Sequence, residues 1–172
     1  VSTTPRTWVV GEVVTAAEMN TEIRDQFSDL FAAWTSWTPT LGASTTAPTN
    51  LDLFGRYKQV GKSVLGQFSI GWNASSTAGS GTYQGFTLPV AGRRLTSNVE
   101  VTIGTCQLNL TNTFNGALVV ASGSGNYTSA ARFRFSDMTT VANGGIGTWT
   151  SSAPGTPASG TVCQGQFMYE AA

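Results

Sequence analysis

The chain has 172 residues and a mass of 18.0 kDa, enough for one compact domain and an extension but not for a second enzyme-sized domain. Charged residues are 10% of the whole, with Lys+Arg 9 against Asp+Glu 9, a balance that gives no electrostatic hold on nucleic acid or on an anionic membrane. The chain has no histidine, which removes Ser-His-Asp and Cys-His catalysis and every histidine-ligated metal site; no cofactor is expected.

The opening VSTTPRTWVVGEVV has neither the basic start nor the apolar core of a signal peptide, and no run of 18 apolar residues follows, so synthesis in a cytosol without a membrane span is expected. Pro5, Gly11 and the β-branched Thr7, Val9, Val10, Val13 and Val14 disfavour a helix and predict an extended arm over 1–14. Trp8 either folds back on its own domain or, with Arg6 and Val10, anchors the arm in a neighbouring protein. At Thr15-Ala-Ala-Glu18 a capping box starts a helix, with Val14 and Met19 placed as its hydrophobic staple. Ala16, Met19, Ile23, Phe27, Leu30, Phe31 and Trp34 recur at spacings of three and four, while Glu18, Glu22, Asp25 and Asp29 take the other faces. This stripe must be covered, by the chain's own β-domain or by other copies. The sets 16, 23, 30 and 20, 27, 34 repeat at seven, with Asn20 as a polar member of the kind that sets register in a bundle.

The breakers Trp34-Thr-Ser-Trp37-Thr-Pro39 end the helix, and the Thr, Ala and Pro-rich stretch that follows reads as a connector. Beyond residue 53 the period is two. GRYKQVGKSVLGQFSIGW predicts a hairpin turning at Gly61-Lys62, with Val64, Gly66, Phe68, Ile70 and Trp72 on one face. Further strands are predicted at 83–88, 98–103, 105–110, 116–121, 131–136, 145–150 and 161–169, with breaks that include Gly104 and Asn115-Gly116. The expected fold is mainly β: an arm and one amphipathic α-helix over 1–40, a connector over 41–52, and a β-sandwich or jelly-roll-like head over 53–172.

Few residues in the head carry chemistry. Asp52, Glu100, Asp137 and Glu170 are its carboxylates; none lies in a distinctive motif, and a glycosidase pair is the less favoured reading against solvated surface groups. GSGTYQG at 79–85 lacks the Lys-Ser/Thr ending of a phosphate loop. Arg132 and Arg134 alternate onto one face of a strand, read as a solvated sheet face. Cys106 and Cys163 lie in no metal-binding spacing and read as free thiols, with a disulfide the alternative if their Cα atoms approach. Trp72, Tyr83, Tyr127 and Trp149 are the candidate stacking residues for a glycan.

Two stretches carry a likeness. TPRTWVVGEVVTAAEMNTEIRDQF at 4–27 resembles the N-terminal segment of small virion proteins of tailed phages that infect actinobacteria, matching at Trp8, Gly11, Thr15, Ala16, Asn20, Arg24 and Asp25. WTSWTPT at 34–40, GRYKQVGKSV at 55–64 and GSGTYQGFTLPV at 79–90 are similar to a β-module of their minor tail and fibre-like proteins, matching at Gly55, Arg56, Tyr57, Gly61, Leu88 and Pro89. Residues 91–172 carry no such likeness. The resemblance implies a non-enzymatic homotrimer on the virion surface, assembled in the host cytoplasm, with the arm on other virion proteins and the head outward, toward a host cell-surface glycan. In that picture Ala16, Met19, Ile23, Phe27, Leu30 and Trp34 form the trimer helix. A tail-associated spike or fibre is the leading expectation; a capsid decoration protein and a lone carbohydrate-binding module are the alternatives.

Overall fold

A computed structural model describes residues 7–93, 100–120, 131–135 and 147–172. The N-terminal helix runs from Ala16 to Phe31 in three parts: α1 (Ala16–Met19), a wide π turn (Asn20–Arg24) and α2 (Asp25–Phe31). The capping box forms as expected, with Glu18 N–H donating to the Thr15 hydroxyl at 3.2 Å and Thr15 N–H donating to the Glu18 carboxylate at 2.8 Å. Ten strands follow: β1 (Thr35–Ser36), β2 (Leu41–Ala43), β3 (Thr49–Val60), β4 (Ser63–Thr77), β5 (Tyr83–Phe86), β6 (Val101–Asn109), β7 (Thr113–Val120), β8 (Ala131–Phe135), β9 (Gly147–Thr148) and β10 (Val162–Glu170).

The strands form one antiparallel sheet in the order β1-β3-β4-β10-β6-β7-β8-β5-β2, with β9 paired to β8. β1 and β2 occupy opposite ends of that order, yet only four residues separate them in sequence. The sheet therefore rolls over on itself, and the segment from Thr35 to Ala43 spans from one edge to the other. The roll brings β4 over β5: the Phe68 and Phe86 rings, on strands that are not sheet neighbours, lie 4.5 Å apart between centroids. Such two-layer packing of inner faces is that of a β-sandwich, in agreement with the expected mainly β head; the strand order does not by itself identify a jelly roll.

The core is aromatic. Val64, Phe68, Ile70 and Trp72 of β4 point inward, as their alternation requires, against Phe86, Phe133, Trp149, Phe167 and Tyr169. Large rings need small neighbours. A Cβ on Gly66 would overlap the Phe167 ring, and one on Gly55 would overlap Trp37, so glycine at these two strand positions makes room for a ring from the adjoining segment.

Several expectations need correction. Residues 41–52 are not a connector: β2 pairs with β5 and β3 begins at Thr49, because Pro39 and Leu41 are buried and backbone that enters the core must have its polar groups paired. The boundary at residue 40 fails likewise, since Pro39 is fully buried and Trp37 packs on Phe86 and Phe167. Gly104 does not separate two strands; β6 runs through it with a bulge between Thr102 and Gly104. The turn after β6 falls at 110–112, placing Asn115 and Gly116 inside β7. The helix ends at Phe31, so Trp34 lies beyond it. Nor is it uniform: Asp25 N–H donates to the Asn20 carbonyl five residues back, and the branched Thr21 and Ile23, which crowd an α-helical turn, sit in that wide turn. The heptad spacing of 16, 23, 30 and 20, 27, 34 is thus offset between the two α segments.

Candidate functional site

The helix presents its apolar stripe to solvent. Ala16 is exposed, Ile23 is 40% accessible, Phe27 58% and Leu30 49%, and Met19 is similarly open. The described part of the chain's own β-domain therefore leaves this stripe open. Lys58 on β3 ties the helix to the head: it donates through Nζ to the carbonyls of Leu30 and Ala32 at 2.5 and 2.6 Å. It satisfies helix-end acceptors and places a positive charge at the negative end of the dipole. Beyond the helix, the Trp34 ring lies under the Arg56 guanidinium at 5.3 Å, and β1 pairs with Tyr57 and Arg56.

The arm is less extended than expected. Glu12 N–H donates to the Val9 carbonyl at 3.1 Å, and Val9 N–H donates to the Glu12 carboxylate at 3.2 Å, closing a turn at Gly11, whose φ of 83° favours glycine. Val10 at the tip of this turn is fully exposed and Trp8 is 41% accessible. Arg6 lies outside the described residues.

The glycan-stacking expectation is overturned for three of its four residues. Trp72, Tyr83 and Trp149 are buried and pack on one another, Trp149 lying 4.5 Å from Tyr83 and 5.5 Å from Trp72 between centroids. These rings are core because the roll of the sheet encloses that end of β4; a ring with no exposed face cannot stack on a sugar. Tyr83 also donates its hydroxyl to the Ala78 carbonyl at 2.6 Å, and burial pushes its pKa up to about 12. Tyr127 lies outside the described residues.

A different surface emerges on the outer face of β3-β4-β10-β6-β7. Register places Phe54, Ser69, Gln164, Gln107 and Asn115 in one row across the five strands. Arg56, Gln67, Gln166, Thr105 and Ala117 form the next row. The first row and, from the second, Gln67, Gln166 and Thr105 line an open concavity of about 670 Å³, and four spacings between strands give it a length of about 19 Å. A third row is Lys58, Leu65 and Met168, of which Leu65 and Met168 line a second hollow of about 340 Å³ together with Trp34. Among the described head residues, the large exposed apolar side chains are Phe54, Leu65 and Met168, the last at 63%, and all three are on this face. Sequence reasoning passed over the face because it followed the buried phase of each strand. The signal was the opposite phase, in which Gln164 and Gln166 alternate with Cys163 and Phe167.

The carboxylates of the head are engaged separately. Glu100 receives Arg134 at 2.6 Å and lies 3.6 Å from Arg132, Glu170 receives Arg93 at 2.9 Å, and Asp52 accepts from Asn73 at 3.0 Å; Asp137 is outside the described residues. Among the described residues no group of three or more Cys, Asp or Glu is placed to hold a metal, and no helix is long and apolar enough to cross a membrane. Cys106 and Cys163 are free and buried, on diagonal positions of β6 and β10, since Cys106 faces Gly165. Burial pushes the Cys106 thiol up to about 12, and burial together with the neighbouring Cys106 raises Cys163 well above its ordinary value. No protein-family model, no curated protein and no solved structure matches the chain.

Proposed function

We propose that the chain is a non-enzymatic structural protein of a tailed-phage particle, a homotrimeric surface spike associated with the tail and with host attachment. The observation that carries the self-association is the helix. Its apolar stripe faces solvent beside a head whose core is already filled, and an isolated helix of this length is marginal in water. Other copies of the chain offer the same stripe and can bury it within a closed symmetric assembly. The likeness of residues 4–27 to virion segments supports the particle and the three-fold state, with Trp8 and Val10 of the arm directed at other virion proteins. The Lys58 contacts to the helix end keep each head close to its base, so three heads act side by side and weak contacts add through avidity.

Ile23→Glu and Phe27→Glu place a carboxylate on the stripe and test this directly. The full chain is expected to sediment with the mass of three chains, and either variant with the mass of one, while the far-ultraviolet spectrum of the head persists. A native chain that stays monomeric at every concentration refutes the trimer. Antibody labelling of particles tests the location: label at the tail tip, with blocked adsorption, supports the spike, and label spread over the capsid refutes it in favour of a decoration protein.

A further inference from the structure

We propose that the outer-face concavity between Phe54 and Asn115 is a binding groove for a neutral oligosaccharide. Its volume, about 670 Å³, falls in the range of small-molecule sites, about 300–1,000 Å³. Its chemistry is that of uncharged amides, each carrying both donors and acceptors, as sugar hydroxyls do.

The amides are set in distinct ways. Gln67 accepts from Arg56 Nε and Nη2 at 3.0 and 2.8 Å, which commits its oxygen and leaves its Nε2 as a donor. Gln107 donates through Nε2 to Asn115 Oδ1 at 3.3 Å, which leaves the Gln107 oxygen as an acceptor. Between them, on β10, Gln164 and Gln166 are exposed and hold no side-chain hydrogen bond within the described chain. Two free amides thus stand between one fixed donor and one fixed acceptor, on neighbouring strands about 4.8 Å apart. At the end of the row Phe54, 56% accessible, offers an aromatic face to the C–H side of a pyranose ring.

Other ligand classes fit less well. No carboxylate or ammonium lines the groove, and Arg56 at its border is already held by Gln67, so an anionic polymer finds no free counter-charge. A peptide adding as a strand needs an open sheet edge, whereas β4, β10 and β6 are paired on both sides. Recognition here comes from side chains alone. The groove is argued from the head's own face and does not depend on the trimeric assembly.

The test uses the full chain and calorimetric titration with neutral gluco-, galacto-, manno- and arabino-oligosaccharides, with an oligogalacturonate as the anionic control. Saturable binding of at least one neutral series, with none of the control, is expected. Gln164→Ala combined with Gln166→Ala is expected to weaken it by about tenfold or more, with an unchanged melting temperature because both side chains are exposed. Phe54→Ala weakens it severalfold and Phe54→Tyr retains it. The inference is overturned if no neutral series binds, if the double variant binds as the native chain does, or if Gln166→Arg lowers the sedimenting mass, which would make this face a contact between copies. Binding that persists in monomeric Ile23→Glu upholds the groove even where the assembly has been lost.

Discussion

Phe68, Phe86 and Trp149 in the head and Ile23, Phe27 and Leu30 on the helix are side chains of the same apolar kind, yet the first three are buried and the last three face water. In the head, one sheet rolls until its inner faces meet, so a single chain supplies both halves of its core. The helix has a capping box at one end and Lys58 at the other, and among the described residues its stripe stays exposed. Burial in the head is thus intramolecular, whereas in the proposed assembly the helix's stripe is covered by a second body and its stability depends on concentration.

The contrast is broken most forcefully from inside the head. Trp149→Ala removes a fully buried ring in contact with Trp72, Tyr83, Phe133 and Phe135; a loss of about 3–5 kcal/mol is expected by denaturant unfolding, equal in the native chain and in the Ile23→Glu variant. Alkali acts on the same core. The thiols of Cys106 and Cys163, ordinarily near 9.0, are raised in the folded state, that of Cys106 to about 12. Below pH 9 they are protonated in both states; between pH 9 and 12 the unfolded chain loses protons that the folded chain keeps, so stability falls as pH rises. Thermal melting from pH 8 to 11 should show that decline, and Cys106→Ala should make it shallower; a native chain with flat stability would contradict the burial of both thiols.

Smaller effects sharpen the comparison. Gly66→Val forces a branched side chain into the Phe167 ring, and a loss of about 1–3 kcal/mol is expected in unfolding. Thr15→Ala removes one half of the capping box and should cost the helix about 1 kcal/mol. That loss should appear as a shift in the association midpoint by sedimentation, with the unfolding of the head untouched. If it lowers the head's stability instead, helix and head are one cooperative unit and the contrast fails.

Much of the backbone was legible before the tertiary structure. The helix start at Thr15, the hairpin turn at Gly61-Lys62 and the inward set Val64, Phe68, Ile70 and Trp72 all follow from nearest-neighbour chemistry. The misreadings share one cause. Thr35–Ala43 looked like an ending and a connector because breakers dominate it, but its extended backbone spans the two ends of the rolled sheet. Trp72, Tyr83 and Trp149 looked like sugar platforms because aromatic residues serve both core and surface, and only the roll decides which.

The amide rows show the same division. That Gln164 and Gln166 share one face of a strand follows from the period of two, a property of the local chain. That Gln164 stands between Gln107 and Ser69, and Gln166 between Thr105 and Gln67, depends on the register of strands distant in sequence, and a slip of one residue would turn either row inward. Caps, turns and alternation are paid for within a few residues and so are written in the chain. Register and roll are set by the packing of large rings around Gly66 and Phe167, and that exists only once the sheet has closed.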